Sequence, residues 1–276
     1  MVIIRLIWES LVMAVQSVTV NRLRAMLSLL GITIGIFSII AVFTMVDSLE
    51  YNIRESVNSL GSDVVYVEKW PWPGGEAEYA WWKYMNRPLP TLDEFEYLRD
   101  HAKGARNACF ISYVGRRLEY GNNNIEGAGV VGVTSEFKDI RGFELTNGRY
   151  FSPLEINAGR NVVVIGYNIA RDLFKGVNTV GKYLEVFGSK VLIIGVVEKE
   201  GKGTFSGQIL DDVVMLPMGF YMNYVDIRRE YSNPQIWVQA RASVGVEELG
   251  YEITQLLRST RRLKPLDEDN FALNQT

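Results

Sequence analysis

The sequence has few of the residue types that catalytic and metal sites commonly use, since its 276 residues include one cysteine and one histidine. A single cysteine excludes an internal disulfide and the cysteine-rich frameworks of small secreted domains. Basic residues are also scarce, because 29 lysines and arginines are outnumbered by 32 aspartates and glutamates, which argues against a general nucleic-acid binder. Hydrophobic residues make up 47% of the chain, too large a share for a disordered protein.

Catalytic motifs are missing as well. His101 closes a predicted helix, where a cation favours the helix dipole, and Cys109 begins an apolar strand as a small buried side chain. The sequence GAGVVG at 127–132 matches GxGxxG, but it reads as a strand and no crossover helix follows it. GKGT at 201–204 lacks the upstream glycine of a phosphate-binding loop, and the acidic run 267–269 has no calcium-loop spacing. We therefore expect no catalytic residue, no cofactor, no bound metal and no nucleic-acid partner.

The composition is uneven along the chain, because residues 25–46 carry no charged side chain. As a helix, 26–46 would rise about 31 Å, which matches a hydrocarbon core of about 30 Å. A cleaved signal peptide is the alternative, but its apolar region is about 7 to 15 residues long and ends at a small-residue site, which this run lacks. Arg5, Arg22 and Arg24 precede the span and Asp47 follows it, so the N-terminus is expected in the cytoplasm.

Two features of the predicted helix suggest contacts. Small residues at 28, 31, 35 and 38 lie on one face, where they would let a second membrane helix approach closely, and they are Ser28, Gly31, Gly35 and Ser38. Beyond the membrane an apolar stripe continues on a polar helix, which predicts a stalk at 47–62 with Gly61 as its C-terminal cap. The stripe is Leu49, Ile53, Val57 and Leu60. Residues 1–24 have apolar positions at helical spacing, which indicates a segment at the cytoplasmic interface.

The outer region mixes short strands with separated helices, which favours an α+β class and not a doubly wound sheet. Strands are predicted at 63–68, 109–119, 125–133, 161–166, around the turn at 188–189, at 212–217 and at 235–241. Helices are predicted at 91–102, where Thr91 and Glu94 have the spacing of a capping box, at 169–174 and at about 246–263. Glycine-rich breaks at Gly121 and at 201–207 bracket a strand-rich middle, which suggests a second lobe inserted into the first.

The segment 70–90 is rich in aromatic residues and is broken by prolines and glycines, so it is predicted to be irregular. Two interpretations stay open. Either its tryptophans form a partner surface, as aromatic anchors do at interfaces, or they fold back over the core of the domain. The tryptophans are Trp70, Trp72, Trp81 and Trp82.

Several blocks in the same order resemble the MacB-type (MacB/FtsX-like) permeases of ABC transporters. They are NRLRAMLSLLGITIGIFSIIAV (21–42), GRYFSPLE (148–155), NVVVIGYNIARDLF (161–174), VGKYLEVFGSKVLIIGVVEKEGKGTF (180–205) and DEDNFALN (267–274). The resemblance implies an extracytoplasmic core with a βαβ-type lobe and an inserted β-rich lobe, which agrees with the pattern along the chain. The predicted domain therefore stands on one N-terminal transmembrane helix with a stalk, and the predicted divisions are 1–24 interfacial, 25–46 transmembrane, 47–62 stalk, 63–124 with 208–265 first lobe, 125–207 inserted lobe, and 266–276 tail.

The resemblance also implies a function and partners. We expect a permease subunit in the inner membrane whose outer domain transmits ATP-driven motion or guides substrate in efflux or envelope transport. ATP would be hydrolysed by a separate ABC ATPase subunit or domain, so this chain is not itself expected to be an enzyme. The other expected partners are a second permease chain, identical or different, and a periplasmic adaptor. Family members have three more spans after the position of Asn274, so the sequence is interpreted as an N-terminal portion; the alternative is a singly anchored binding or scaffold module.

Overall fold

The computed structural model describes residues 5–10, 12–13, 20–59, 63–72, 81–175, 178–200 and 210–275. The chain divides into two compact units, Met1–Arg54 and Glu55–Thr276, and each is described by itself. Residues 5–10 and 12–13 are helical, and Arg5 forms an exposed ion pair with Glu9 at 3.4 Å. The structure therefore divides near the place where composition changes along the sequence.

One long helix dominates the first unit and continues past it. Helix α1 covers Arg22–Ser59, 38 residues that rise about 57 Å. Its part Arg22–Leu49 is long and apolar enough to cross a membrane, and it is the one such helix among the described residues. The hydroxyl groups of Thr33 and Thr44 donate to the carbonyl groups of Leu29 and Ile40 within the helix, so neither needs a partner in a lipid environment.

The second unit contains ten strands among its described residues, joined by short helices. The strands are β1 (Val64–Glu68), β2 (Ala105–Tyr120), β3 (Asn123–Val133), β4 (Leu145–Gly148), β5 (Val162–Ile165), β6 (Tyr183–Val186), β7 (Ser189–Val197), β8 (Val213–Pro217), β9 (Gln235–Ala240) and β10 (Ala272–Asn274). The helices are α2 (Leu92–His101), α3 (Phe137–Arg141), α4 (Pro153–Asn157), α5 (Tyr167–Phe174), α6 (Met218–Tyr221) and α7 (Val246–Thr260). This confirms the predicted α+β class.

Local sequence signals explain several boundaries. At the start of α2 the Thr91 hydroxyl accepts from the Glu94 backbone N–H at 3.2 Å, and the Glu94 carboxylate accepts from the Thr91 N–H at 3.0 Å, which confirms the capping box. Helix α7 begins at Val246 as predicted, but it ends at Thr260 and not near 263. The reason is that Arg262 takes a left-handed conformation with φ of 53°, which an α-helix cannot continue through.

The strands form one mixed sheet with the order β10-β1-β9-β2-β3-β8-β5-β7-β4. Strand β6 pairs with β2 on one side and with β7 on the other. The pairings β2-β3, β3-β8, β8-β5, β5-β7, β7-β6 and β6-β2 therefore close a six-stranded barrel within the larger sheet. The sixteen-residue strand β2 belongs to both parts, because its first half pairs with β9 and its second half with β6.

Two apolar clusters cover the opposite faces of this sheet. One cluster includes Val163, Ile165 and Leu216, and the other includes Val162, Val164 and Met215. Alternate residues of β5 and β8 thus enter different clusters, as the period of two in a strand requires. Burial on both faces explains why these strands read as continuous apolar runs in the sequence.

The predicted boundaries of the two lobes stay a prediction. The proposed boundary at 124/125 falls at the beginning of β3, which pairs with β2 along most of its length. Strand β8, assigned by sequence to the first lobe, pairs with β3 and β5 of the inserted lobe. The hydrogen-bonded sheet is therefore continuous across both proposed boundaries.

Candidate interaction surfaces

The predicted packing face lies on the apolar part of α1. Ser28, Gly31, Gly35 and Ser38 are all helical and exposed. A Cβ atom added at Gly31 or at Gly35 would meet no atom within 4 Å. The structure thus places the four residues on the helix as expected, and their role in packing stays a prediction.

The predicted stalk coincides with the last third of α1. Leu49 is helical and its side chain is 57% exposed, and the backbone remains helical as far as Ser59. Ile53 and Val57 lie on this helical backbone, whereas Leu60 lies outside the described residues. The helix therefore continues beyond the apolar span for about ten residues, and its role as a lever stays a prediction.

The four tryptophans of the aromatic segment fall into two pairs. Trp72 folds back on β1, where its ring lies 5.1 Å from the ring of Tyr66 and its Nε1 donates to Glu68 Oε2 at 2.8 Å. Trp70 is half-buried, and the Lys69 ammonium lies 4.9 Å from the centre of its ring. The contacts of Trp72 with β1 are of the kind that the fold-back interpretation expects, although Trp72 keeps 41% of its surface exposed. The choice between the two interpretations stays a prediction.

The second pair lies on a 3₁₀ turn, Trp81–Lys83, that precedes α2. Trp81 and Trp82 are each 53% exposed and their rings meet edge to face at 6.0 Å, while Met85 beside them is also 53% exposed. Exposed aromatic side chains that lie next to one another are typical of partner surfaces. We call Trp81, Trp82 and Met85 the tryptophan ridge, and its binding role stays a prediction.

The structure contains a groove of about 1010 Å³, and part of its lining follows the tryptophan ridge in the sequence. It is lined by two segments, Pro88–Asp93 and Met222–Arg228. Met222 and Tyr224 are 40% and 42% exposed in it, and the Tyr224 ring stacks on Phe187 at 5.3 Å. This groove could not be predicted from the sequence, because its two sides are more than 120 residues apart.

A buried ion pair holds α2, α7 and the segment before β10 together. The Arg261 guanidinium donates to both carboxylate oxygens of Glu94, at 2.7 and 3.0 Å, and also to the Asn270 carbonyl at 2.8 Å. The side chains of Arg261 and Glu94 are only 6% and 9% exposed. Arg261 also lies over the ring of Phe271, 5.5 Å from its centre.

A second polar cluster surrounds Asn274, the last residue of β10. Its Nδ2 donates to Glu68 Oε2 at 2.6 Å and to the Trp70 carbonyl at 3.0 Å, and its Oδ1 accepts from the Trp72 backbone N–H at 2.9 Å. Burial raises the pKa of Glu68, although the hydrogen bonds from Trp72 and Asn274 act in the opposite direction. Burial also raises the pKa of Tyr66 to about 12. The sequence predicted only a tail at 266–276, so this cluster around Asn274 was not expected.

His101 lies in α2 and Cys109 lies in β2. Cys109 is fully buried, and burial raises the pKa of its thiol well above the usual value. His101 lies in the last turn of α2, stacks on Tyr97 at 4.2 Å and has its Nδ1 2.9 Å from the Tyr97 carbonyl. The GAGVVG sequence lies inside β3, as the sequence predicted. No group of three or more potential metal ligands occurs within the described part of the chain.

The comparisons with known proteins agree with this fold. A family model described as the MacB-like periplasmic core domain matches residues 25–256. The macrolide export ATP-binding/permease protein MacB of Chlorobium luteolum is 28% identical over 263 residues, which cover 92% of this chain and 37% of that protein. The protein of the same name from Neisseria meningitidis serogroup A is 27% identical over 256 residues, with 91% and 37% covered. The chain thus spans 37% of the length of each of these two relatives.

Two solved structures are similar in fold. The periplasmic region of MacB from Actinobacillus actinomycetemcomitans has a TM-score of 0.62 and 17% identity, and the match covers 81% of this chain and 93% of that one. The extracellular domain of the noncanonic ABC-type transporter YknZ from Gram-positive bacteria has a TM-score of 0.55 and 16% identity, with 76% and 98% covered. Since the family model matches well over half of the residues, the chain belongs to the MacB-type ABC transporter permeases, whose MacB-like periplasmic core domain it contains.

Proposed function

We propose that the chain is the membrane-anchored outer part of a MacB-like permease subunit, and that its extracytoplasmic domain transmits ATP-driven motion in efflux or envelope transport. The observation that carries the proposal is the unbroken helix α1, which continues from the apolar span into the polar segment and ends at Ser59, so that four residues separate it from β1. A continuous helix moves as one rod over its length, so a displacement at its membrane end reaches Ser59 without a hinge.

The arrangement of β1 and β10 supports an attachment at two points. These strands are antiparallel, with Tyr66 opposite Asn274 and Glu68 opposite Ala272. The beginning of β1 and the end of β10 therefore lie at the same end of the pair. A domain in which β1 begins and β10 ends at the same end is suited to being attached at that end and moved from it.

ATP hydrolysis is assigned to a partner. The relatives are named ATP-binding/permease proteins, whereas the 276 residues of this chain include no GxxxxGK[ST] phosphate-binding sequence. We propose an ABC ATPase subunit or domain as the partner, with a second permease chain and a periplasmic adaptor completing the assembly.

A proline in α1 tests the transmission. Leu49→Pro removes a helical hydrogen bond and kinks the helix where the apolar part ends, and Leu49→Ala is the matched control that keeps the helix. In membranes containing the ATPase, we expect Leu49→Pro to lower transport per ATP hydrolysed at least about tenfold while ATP turnover changes less than about threefold. Equal coupling in the Pro and Ala variants would contradict the proposal.

The proposed location is the inner membrane, with the N-terminus in the cytoplasm and the domain outside. The buried Cys109 makes the native chain a clean background for single-cysteine mapping. Gln255→Cys adds an exposed thiol on α7. We expect a membrane-impermeant maleimide to label this variant in cells with a permeabilised outer membrane and an intact inner membrane, and labelling only after lysis would overturn the topology.

A singly anchored binding module is the second candidate, because the tryptophan ridge and the groove lined by Pro88–Asp93 and Met222–Arg228 each offer a surface for a ligand or protein. Co-purification of the full chain decides between the two candidates. Recovery of an ABC ATPase in stoichiometric amount supports the permease, and recovery of other envelope proteins without any ATPase supports the binding module.

A further inference from the structure

Two surfaces of different shape lie next to each other in the sequence. The tryptophan ridge lies on and just after a 3₁₀ turn, and the lining of the groove begins at Pro88, only two residues after Met85. Since one residue spans at most about 3.6 Å, the ridge and the groove of one chain are close neighbours. Trp81 and Trp82 are nevertheless each 53% exposed, so the ridge does not fill the groove of its own chain.

The ridge combines apolar side chains with a positive charge. Lys83 lies on the same turn as the two indoles and is exposed. Residues 81–92 contain no aspartate or glutamate, so no acidic side chain of this segment offsets that charge. Tryptophan and methionine are enriched at protein interfaces, and exposed apolar patches commonly mark such interfaces. The ridge therefore suits an apolar groove that carries negative charge.

The groove has the matching properties. Met222 and Tyr224 give one side a partly exposed apolar surface, and Leu89 and Leu92 line the other side. Its volume of about 1010 Å³ is at the top of the range of about 300 to 1,000 Å³ in which proteins hold drug-sized ligands, so there is room for an indole ring. Asp93 belongs to the same lining and is exposed. The groove thus offers apolar contacts and a carboxylate to one incoming segment.

Tyr224 is held in position by its own chain. Its hydroxyl lies 2.7 Å from the Ser189 hydroxyl, and its ring stacks on Phe187 at 5.3 Å with an angle of 6° between the ring planes. One face of the ring is thereby covered, and 42% of the residue remains exposed. A contact surface that is ordered in advance loses less side-chain entropy on binding, so this side of the groove is prepared for a partner.

Charge also matches between the two surfaces. The lining of the groove includes two carboxylates, Asp93 and Asp226. Asp226 Oδ2 already lies 3.4 Å from Arg229 Nε, so its charge is balanced within the chain. This leaves Asp93 for an incoming cation, and Lys83 on the ridge of a second copy is one. Opposite charges across an interface favour encounter and fix the register of the contact.

We propose that two copies of this chain associate about a two-fold axis, with the ridge of each copy in the groove of the other and Lys83 of each paired with Asp93 of the other. Such a contact is self-complementary, as a two-fold interface must be. The two reciprocal contacts would bury on the order of 1,000 Å² in total, at about 150 to 250 Å² for a whole aromatic side chain, which is the size of a weak, transient interface. Anchoring in one membrane raises the effective concentration of the two domains, so a weak contact suffices.

Charge reversal tests the pairing. In Lys83→Asp two carboxylates face each other in both contacts of the dimer, and in Asp93→Lys two ammonium groups do. We expect each variant to raise the dissociation constant of the dimer at least about tenfold, because like charges at an interface are strongly unfavourable. An equimolar mixture of the two variants has opposite charges in both contacts of the mixed dimer, so its dissociation constant should return to within about threefold of wild type. Analytical ultracentrifugation of the full chain in detergent micelles measures each sample.

Recovery in the mixture separates pairing from misfolding, because one variant cannot rescue the folding of another. Lys190→Asp reverses the charge of an exposed lysine on β7 outside both surfaces, and this matched control should stay within about twofold of wild type. Any association through α1 is the same in all variants and cancels in the comparison. Single variants that associate as wild type does, or a mixture that stays as weak as its components, would overturn the proposal.

The apolar part of the contact is tested in the same assay. Trp82→Ala should weaken the dimer at least about tenfold, since buried tryptophans are frequent hot spots of interfaces. Tyr251→Ala removes an aromatic residue that is 74% exposed on α7, outside both surfaces, and should change the dissociation constant less than about twofold. Equal effects of the two substitutions would overturn the placement of the ridge in the groove.

Cross-linking locates the contact in membranes. Met85→Cys places a thiol on the ridge and Asn223→Cys places one in the groove, while the native Cys109 is fully buried. A short bis-maleimide should join differently tagged copies of these two variants when they are mixed in proteoliposomes. A mixture of Met85→Cys with Gln255→Cys, exposed on α7, is the control for random collision. Equal yields in the two mixtures would contradict the proposed contact.

This proposal rests on the proposed function, which calls for a second permease chain, and it names an identical copy as that chain. The two can fail separately. If the ridge and the groove do not pair but Leu49→Pro uncouples transport from ATP hydrolysis, the contact is wrong and the proposed function stands. If the mixture of charge variants recovers but no ABC ATPase is found with the chain, the contact stands and the proposed function is contradicted. A wild-type chain that stays monomeric, while Lys83→Asp lowers the recovery of another envelope protein, would assign the ridge to that protein and overturn the proposal.

Discussion

The apolar helix α1 leaves its hydrophobic residues exposed, whereas the domain formed by the second unit buries them. In α1, Leu29, Ile32 and Phe37 are 63%, 63% and 70% exposed, whereas Phe110 and Ile193 in the domain are fully buried. Chains in water do not leave contiguous apolar surfaces of this size uncovered. The surface of α1 therefore suits a lipid environment, and the surface of the domain suits water. Substitutions in the core of the domain should change its free energy of unfolding, whereas substitutions on α1 should change the association of the helix with other helices.

The largest effect on the domain side is expected from the buried ion pair. Arg261→Ala leaves the Glu94 carboxylate buried without its cation, which should lower the free energy of unfolding by about 3 to 5 kcal/mol. Arg228→Ala removes an arginine whose side chain is 89% exposed, and this control should stay within about 0.5 kcal/mol of wild type. Urea unfolding of the full chain in micelles, followed by tryptophan fluorescence, measures both. A loss below about 1 kcal/mol in Arg261→Ala would show that α2 and α7 are held together by other contacts.

The next effect separates two glycines that lie in the paired strands β2 and β3. A Cβ at Gly132 would lie 2.6 Å from the ring of Tyr221, which is fully buried and has no room to move. A Cβ at Gly115 would have its nearest atom at 3.7 Å, which is an ordinary contact. We expect Gly132→Ala to cost about 1 to 3 kcal/mol and Gly115→Ala less than about 0.5 kcal/mol in the same urea assay. Equal costs would mean that strand propensity, and not overpacking, decides the outcome.

A smaller effect depends on pH and concerns the start of α4. The Arg149 guanidinium donates to both oxygens of Glu155, and this holds the pKa of Glu155 at about 2, below its usual value of 4.5. A lowered carboxyl pKa stabilises the fold above the unfolded pKa, and the contribution is lost as the pH falls from about 4.5 toward 2. Because Arg149 is 57% exposed, solvent screening reduces the contribution to about 1 kcal/mol.

Arg149→Gln tests this contribution. The variant should be about 1 kcal/mol less stable than wild type at pH 6, and the difference should shrink as the pH falls through this window. Unfolding measured at pH 6, 4 and 3 gives the comparison. A difference that is the same at all three values would show that the loss comes from packing of the arginine stem.

The sequence predicted the elements that depend on neighbouring residues. The apolar run at 25–46, the capping box at Thr91 and the continuous apolar strands β5 and β8 each have a local cause, and the structure confirms them. It could not predict that β6 closes the barrel against β2, nor that Arg261 meets Glu94, 167 positions away. Such contacts depend on how the strands and helices are arranged in space, and the spacing of apolar residues along the sequence does not predict that arrangement.

The candidate surfaces show the same limit. Aromatic composition pointed to the segment 70–90 and left two interpretations open; the structure packs Trp72 on Tyr66 and leaves Trp81 and Trp82 half exposed, and a partner surface stays a prediction. Strand β10 was missed because three residues, Ala272–Asn274, are too few for an alternating pattern. Asn274 was missed with it, since an asparagine near an acidic run carries no signal for a pairing with backbone groups about 200 positions earlier.

Substitutions on α1 are expected to have the smallest effect on unfolding of the domain, and they test the contrast between the helix and the domain most directly. Gly31→Leu fills the predicted packing face, where a Cβ meets no atom within 4 Å, and Ile34→Leu changes an exposed helix position without adding volume. Unfolding of the domain should stay within about 0.5 kcal/mol of wild type in both variants. Self-association in micelles, measured by analytical ultracentrifugation, should fall in Gly31→Leu alone, because a large side chain keeps helix backbones apart. If Gly31→Leu instead destabilised the domain by more than about 1 kcal/mol, the helix and the domain could no longer be treated as units that are stable for separate reasons.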